Sequence, residues 1–230
     1  MEAVILVGGM GTRLASLIPH KPKALAEVCG VPVLDMVINE LITQGFNRII
    51  LATGVRGEQV QEYAQKFINR KDCQIIISQE LSPLGTGGAV RHALPHIISP
   101  HFLVINGDTF SEGIDLKDAF KLHAEKNALV TLVAVHPRAD VDYGAIEIVS
   151  DGRARFREKE GVGALMSAGI YWLNRKAVEG LPEGPLSIEK DFFPRIALEG
   201  GLYGYKSTGR IHDIGTPERY KSANEGIHFS

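Results

Sequence analysis

A glycine-rich stretch, Gly8-Gly9-Met10-Gly11-Thr12-Arg13-Leu14, follows the apolar run Ala3 to Val7 directly. Glycines in that place let backbone N–H groups approach phosphate oxygens, and Arg13 can add a forked cationic contact. Two well-known phosphate loops do not match. A G-x-G-x-x-G pattern counted from Gly9 needs glycine where Leu14 stands, and no GxxxxGK[ST] occurs. An ordinary tight turn accounts for the glycines as well. Lys23 follows ten residues after Arg13, with Lys21 as its local rival. Two acids stand at comparable points further along: Asp108 just past the apolar run Phe102 to Asn106, and Asp213 before the turn Ile214-Gly215-Thr216-Pro217. Each can cap its own turn, and together they can offer oxygen ligands to a cation. His212 is not expected to join them, since an oxygen-seeking metal gains little from imidazole.

The elements that must carry these residues alternate. Ala3 to Val7, Arg48 to Ala52, Gln74 to Ser78, Phe102 to Asn106 and Ala128 to Val135 read as strands apolar on both faces. Between them, Val33 to Gln44, Glu58 to Phe67, Gly88 to Leu94 and Leu116 to Lys126 read as helices. Leu34, Val37, Ile38, Leu41 and Ile42 make one apolar stripe suited to packing on a sheet. The pattern predicts an α/β fold, a Rossmann-like, mostly parallel mixed sheet with helices on both faces. Ligands in such sheets bind beyond the carboxyl ends of the strands, which points at Gly8, Ser78 and Asn106 onward. After about residue 140 the rhythm changes. A hairpin is expected from Ala145 to Val149 and Arg153 to Lys159, turning at Ser150-Asp151-Gly152. Leu165 to Leu173 and Leu202 to Lys206 read as strands, Ile188 to Leu198 and Pro217 to Glu225 as helices. No linker or repeat intervenes, so one domain over 1–230 is expected, its halves meeting near 140.

Composition narrows the partners. The 230 residues carry 25 basic and 27 acidic side chains, a formal charge of −2, which argues against a generic nucleic-acid binder. Two cysteines, Cys29 and Cys73, are too few for a disulfide framework and suggest reduced, partly buried thiols. The first residues lack a basic signal-peptide region, and no run approaches the length that spans a bilayer. A cytoplasmic protein with no membrane partner is the expectation.

Taken together, GGxGTRL with a following Pro22-Lys23, Leu84-Gly85-Thr86-Gly87-Gly88-Ala89, Asn106-Gly107-Asp108, Tyr143-Gly144, Phe156-Arg157-Glu158-Lys159, Ser167-Ala168-Gly169-Ile170-Tyr171 and Asp213-Ile214-Gly215-Thr216-Pro217 resemble the sugar-phosphate nucleotidylyltransferases. The likeness runs over nearly the whole chain. Among compact members it is most similar to heptose 1-phosphate guanylyltransferases, also through Ser187-Ile188-Glu189-Lys190-Asp191-Phe192-Phe193-Pro194. Mannose 1-phosphate guanylyltransferases and small uridylyltransferases are near alternatives. The resemblance implies a GT-A-like nucleotidyltransferase domain, with about 1–140 holding the nucleotide and about 141–230 the sugar phosphate.

It also implies roles. Arg13 and Lys23 would grip the triphosphate, with Leu6, Gly8, Gly9, Gly11, Thr12, Gly85, Thr86, Asn106 and Gly107 around the nucleotide. Asp108 and Asp213 would hold Mg²⁺, which suits phosphate chemistry because it takes one or two carboxylates plus phosphate and water. Tyr143, Gly144, Glu158, Lys159, Ser167 and Gly169 would take the sugar phosphate, although the family commonly has Asn where Ser167 stands. The family's base-reading position falls on Glu80. A carboxylate accepts two hydrogen bonds in one plane and matches guanine N1–H and N2, which favours GTP over UTP. Gln79 is the reader if the backbone is shifted by one. Ser187 is expected to cap a helix, leaving Ser187-Ile188-Glu189 outside the ligand site. Two readings of another kind stand beside this one: a metal-dependent glycosyltransferase, against which the GGxGTRL loop argues, and a non-catalytic nucleotide-sugar sensor.

Overall fold

The computed structural model describes residues 1–9, 14, 17–19, 21–54, 57–137, 145–157 and 165–226. Its centre is the strand β1 (Glu2–Leu6), flanked in parallel by β4 (Arg48–Thr53) and β6 (His101–Asn106), with β5 (Gln74–Gln79) parallel beyond β4. The long β11 (Leu165–Asn174) closes the other flank, antiparallel to β6. It also pairs antiparallel with β8 (Val130–Val135), which carries the parallel strand β12 (Leu202–Lys206). At its start β11 pairs with β9 (Ala145–Ile148), partner of β10 (Ala154–Arg157). These form one nine-stranded mixed sheet.

The central strands are apolar along their middles because both their faces are covered. Ala3 and Ile5 belong to one buried cluster and Val4 to the other; Ile49 and Leu51 likewise oppose Ile50 and Ala52. The first cluster is packed by α1 (Val33–Thr43), α2 (Gly57–Ala64) and α4 (Leu116–Glu125). In α1, Leu34, Val37, Ile38 and Leu41 are buried, the stripe its spacing predicts, while Ile42 is half-buried at its edge. The second cluster is packed by α3 (Gly85–Ala93), α5 (Arg175–Glu179) and α6 (Phe193–Leu198). α7 (Pro217–Gly226) closes the described chain, and no described helix is long and apolar enough to cross a membrane.

Three expectations shift. α3 starts at Gly85, not Gly88, so the glycines form its first turn. The helix expected over Ile188 to Leu198 is a wide π-type turn at Ile188–Phe192 followed by α6, with Pro194 in the first turn of α6, where a missing N–H costs nothing. Two short ladders were not expected: β2 (Glu27–Val28) with β3 (Val31–Pro32), and β7 (Thr109–Glu112) with β13 (Arg210–Asp213). The cysteines also differ from expectation. Cys73 is buried, its thiol pushed up to about 11 by desolvation, whereas Cys29 is exposed.

Candidate active site

The strand ends β1, β4 and β6 open onto a cavity of about 370 Å³. Leu6, Gly8, Gly9, Lys23, Glu80, Gly85, Thr86, Asn106, Gly107 and Asp108 all line it, so the structure brings these sequence-picked residues to one place. Gly11, Thr12 and Arg13 lie outside the described residues. Two glycines there are sterically required. A Cβ at Gly107 would sit 2.5 Å from Val7 Cγ1 and 2.8 Å from the Leu6 carbonyl oxygen. Gly85 has φ +68°, and its added Cβ would lie 2.7 Å from the Leu186 oxygen. Part of the glycine turn therefore serves packing. Gly87 N–H donates to the Leu186 carbonyl at 2.8 Å, and Ile188 N–H to Thr86 Oγ1 at 2.9 Å.

The two lysines part company. Lys21 pairs with Glu27 at 2.8 Å, whereas the Lys23 ammonium, on a short turn after Pro22, donates to Asp108 Oδ2 inside the cavity. Glu80 accepts from Leu84 N–H at 2.9 Å through Oε2, and burial raises its carboxyl above the usual range. Gln79 turns the other way along the strand. It accepts from the Gln61 amide at 2.7 Å and donates to Glu58 at 3.5 Å, both on α2, and is absent from the cavity wall.

A second cavity, of about 450 Å³, adjoins the first at Asn106, which lines both. Ser167, Gly169 and Asp213 lie in its wall; Tyr143, Gly144, Glu158 and Lys159 lie outside the described residues. Gly169, φ +70°, would press an added Cβ to 2.5 Å from the Asn106 amide nitrogen. The β7–β13 ladder sets Asp213 opposite Thr109, the neighbour of Asp108, and Ile214 N–H donates to the Asp108 carbonyl at 3.1 Å. A link across a hundred residues thus brings the two acids together. Asp213 also caps its turn, accepting from Gly215 N–H, and pairs with Arg219 at 2.5 Å. His212 stacks on Phe110, ring centroids 4.9 Å apart.

Glu189, expected to lie outside the ligand site, and Lys190, given no role from sequence, both line this wall. Ser187 does cap the turn, its Oγ accepting from Lys190 N–H at 3.2 Å, but the residues it positions face the cavity. Glu189 accepts from the buried Tyr171 hydroxyl, which accepts in turn from Ser167 Oγ at 3.3 Å. No spacing signal marks Glu189, because the cavity is assembled from distant strands.

Among the described residues no three His, Cys, Asp or Glu side chains gather into a metal cage. Asp108 at the first cavity and Asp213 at the second, linked through their backbones and now paired with Lys23 and Arg219, carry carboxylate oxygens of the kind Mg²⁺ takes.

The model of the nucleotidyl transferase family matches residues 2–229. The chain is 36% identical to the D-glycero-alpha-D-manno-heptose 1-phosphate guanylyltransferase of Aneurinibacillus thermoaerophilus, over 99% of this chain and 98% of that one. It is 34% identical to mannose-1-phosphate guanylyltransferase 1 of Arabidopsis thaliana, over 96% of this chain but 63% of the plant protein. The crystal structure of HddC from Yersinia pseudotuberculosis, complexed with GMP-PN, superposes with a TM-score of 0.84 at 31% identity, over 97% of this chain and 98% of that one.

Proposed function

The chain belongs to the nucleotidyl transferase family, and from that premise we propose that it joins GTP to a sugar 1-phosphate, releasing pyrophosphate and a GDP-sugar. D-glycero-D-manno-heptose 1-phosphate is the favoured acceptor, in line with the relative named above; mannose 1-phosphate is the second reading, favoured by the plant relative. One observation carries the proposal: two cavities meet at Asn106, with Lys23 and Asp108 in the first and Asp213 in the second.

The chemistry follows from charge and position. The sugar phosphate oxygen is already an anion, so it attacks the α-phosphorus in line without a covalent enzyme intermediate. What the protein must supply is alignment and relief of repulsion between two polyanions. To Lys23, in the wall of the first cavity, we assign stabilisation of the charge that builds as pyrophosphate separates, and to Arg13 the same task from the glycine loop. Asp108 and Asp213 would hold Mg²⁺, which when bound neutralises phosphate charge. Glu80, with one oxygen fixed by Leu84 N–H, offers guanine an acceptor edge that uracil would meet with a carbonyl.

Four nucleoside triphosphates tested against a panel of sugar 1-phosphates, with pyrophosphate as the readout, decide the matter. Release with GTP and heptose 1-phosphate is expected. A glycosyltransferase would release no pyrophosphate from this panel, and would release free nucleoside diphosphate only when given a finished nucleotide sugar and an acceptor.

A further inference from the structure

Tyr171 is buried in β11, yet its hydroxyl reaches the wall of the second cavity. The hydrogen bonds around it run in one direction. Gly169 N–H donates to Ser167 Oγ at 3.2 Å, Ser167 donates to Tyr171 at 3.3 Å, and Tyr171 donates to Glu189 Oε1. Every proton in the chain points toward the carboxylate. Ser167 has therefore spent its hydroxyl hydrogen, and Glu189 has none to give. Ser167 and Glu189 thus present acceptors to the cavity, beside the Lys190 cation and the apolar surface of Phe156 and Pro194.

Glu189 is also fixed from its own side. Its turn is capped by Ser187, and the neighbouring Ile188 N–H is tied to Thr86 on the helix that borders the first cavity. An exposed carboxylate is usually free to move among rotamers; this one is held at both ends. A held acceptor beside an apolar wall suits a ring whose edge carries hydroxyls and whose face carries C–H groups.

We propose that Glu189 reads a hydroxyl of the sugar, with Tyr171 as its positioning residue. This rests on the nucleotidyl-transfer reading for the identity of the ligand. A sugar hydroxyl donating to this held carboxylate gains a charge-assisted bond.

The test separates the two claims. Pyrophosphate release by the unaltered protein reports on the reaction. Calorimetric titration with mannose 1-phosphate and heptose 1-phosphate, beside a GTP analogue that cannot release pyrophosphate, reports on Glu189. Glu189→Ala is expected to weaken the sugar 1-phosphate about tenfold to a hundredfold and to leave the GTP analogue within about twofold. Tyr171→Phe should weaken the sugar less, again without touching the nucleotide. In a series of monodeoxy mannose 1-phosphates, one should lose affinity for the unaltered protein and lose nothing further with Glu189→Ala. If Glu189→Ala weakens both ligands alike, or neither, the carboxylate serves only to satisfy the buried tyrosine and the proposal falls. It falls as well if no sugar 1-phosphate binds the unaltered protein. Sugar binding that depends on Glu189 without any pyrophosphate release would uphold it and overturn the reaction.

Discussion

The two cavities are built on different principles. The first lies at the ends of parallel strands and is shaped largely by backbone. Gly8 packs on Gly54, Gly107 on Leu6 and Val7, and Gly85 on Leu186, so its form depends on where side chains are missing. The second grows from antiparallel β11 and from the β7–β13 ladder, and its wall is made of side chains: Ser167 and Glu189, joined through the buried Tyr171 behind them, and Asp213. A backbone-made pocket suits what every substrate of the family would share, a nucleoside triphosphate. A side-chain pocket can be altered residue by residue, which suits the partner that differs.

The sharpest way to break that contrast is at the junction. Lys23→Ala should cost at least about 10²-fold in kcat, the scale of a lost electrostatic transition-state contact, with the fold retained. Asp108→Asn should abolish Mg²⁺-dependent turnover, read as pyrophosphate release against Mg²⁺ concentration. Turnover near normal in the lysine variant would reassign the residue to pairing with Asp108 alone. A paired set of alanines then asks whether the cavities are separable. Gly107→Ala forces a clash with Leu6 and Val7, and Gly169→Ala displaces Asn106. Overpacking of this kind costs about 1–3 kcal/mol, which is about fivefold to a hundredfold in a binding constant. The first change should raise KM for GTP more than for the sugar phosphate, and the second the reverse. Equal effects from both would mean that the two cavities act as one.

The same contrast explains what was legible. The glycine loop and Asp108 were visible because each follows a strand whose apolar run announces it, and position along the strand fixes the cavity edge, whereas Lys23 and Glu80 were found through the family resemblance. The α1 stripe was visible for the same local reason. The pairing of Thr109–Glu112 with Arg210–Asp213 was not, because each strand is four residues long and their register is set by a partner a hundred positions away. The break in the expected helix over Ile188 to Leu198 was hidden for another reason. Ser187 gives a sound cap, and nothing in the period shows that the first turn is wide until the segment is seen packed on Gly85 to Gly88. Glu189 went with it. Lys23 was separated from Lys21 only by spacing, and the ion pair with Asp108 gives that choice a physical cause.

The smallest effect is the most specific, because it tests side-chain chemistry inside the backbone-made cavity. Glu80→Gln should lower the preference for GTP over UTP about tenfold, the value of one mismatched charged hydrogen bond. The pH dependence gives the sign. Burial raises the Glu80 carboxyl, so the ionised form that accepts from guanine is favoured above that raised value and lost as pH falls through it. KM for GTP should therefore begin to climb at a higher pH than an ordinary glutamate would allow, while KM for UTP does not climb with it. In Glu80→Gln that climb should vanish. A GTP profile that keeps its acid limb in the variant would place the titrating group elsewhere and remove Glu80 from base reading, leaving the first cavity's selectivity to backbone alone.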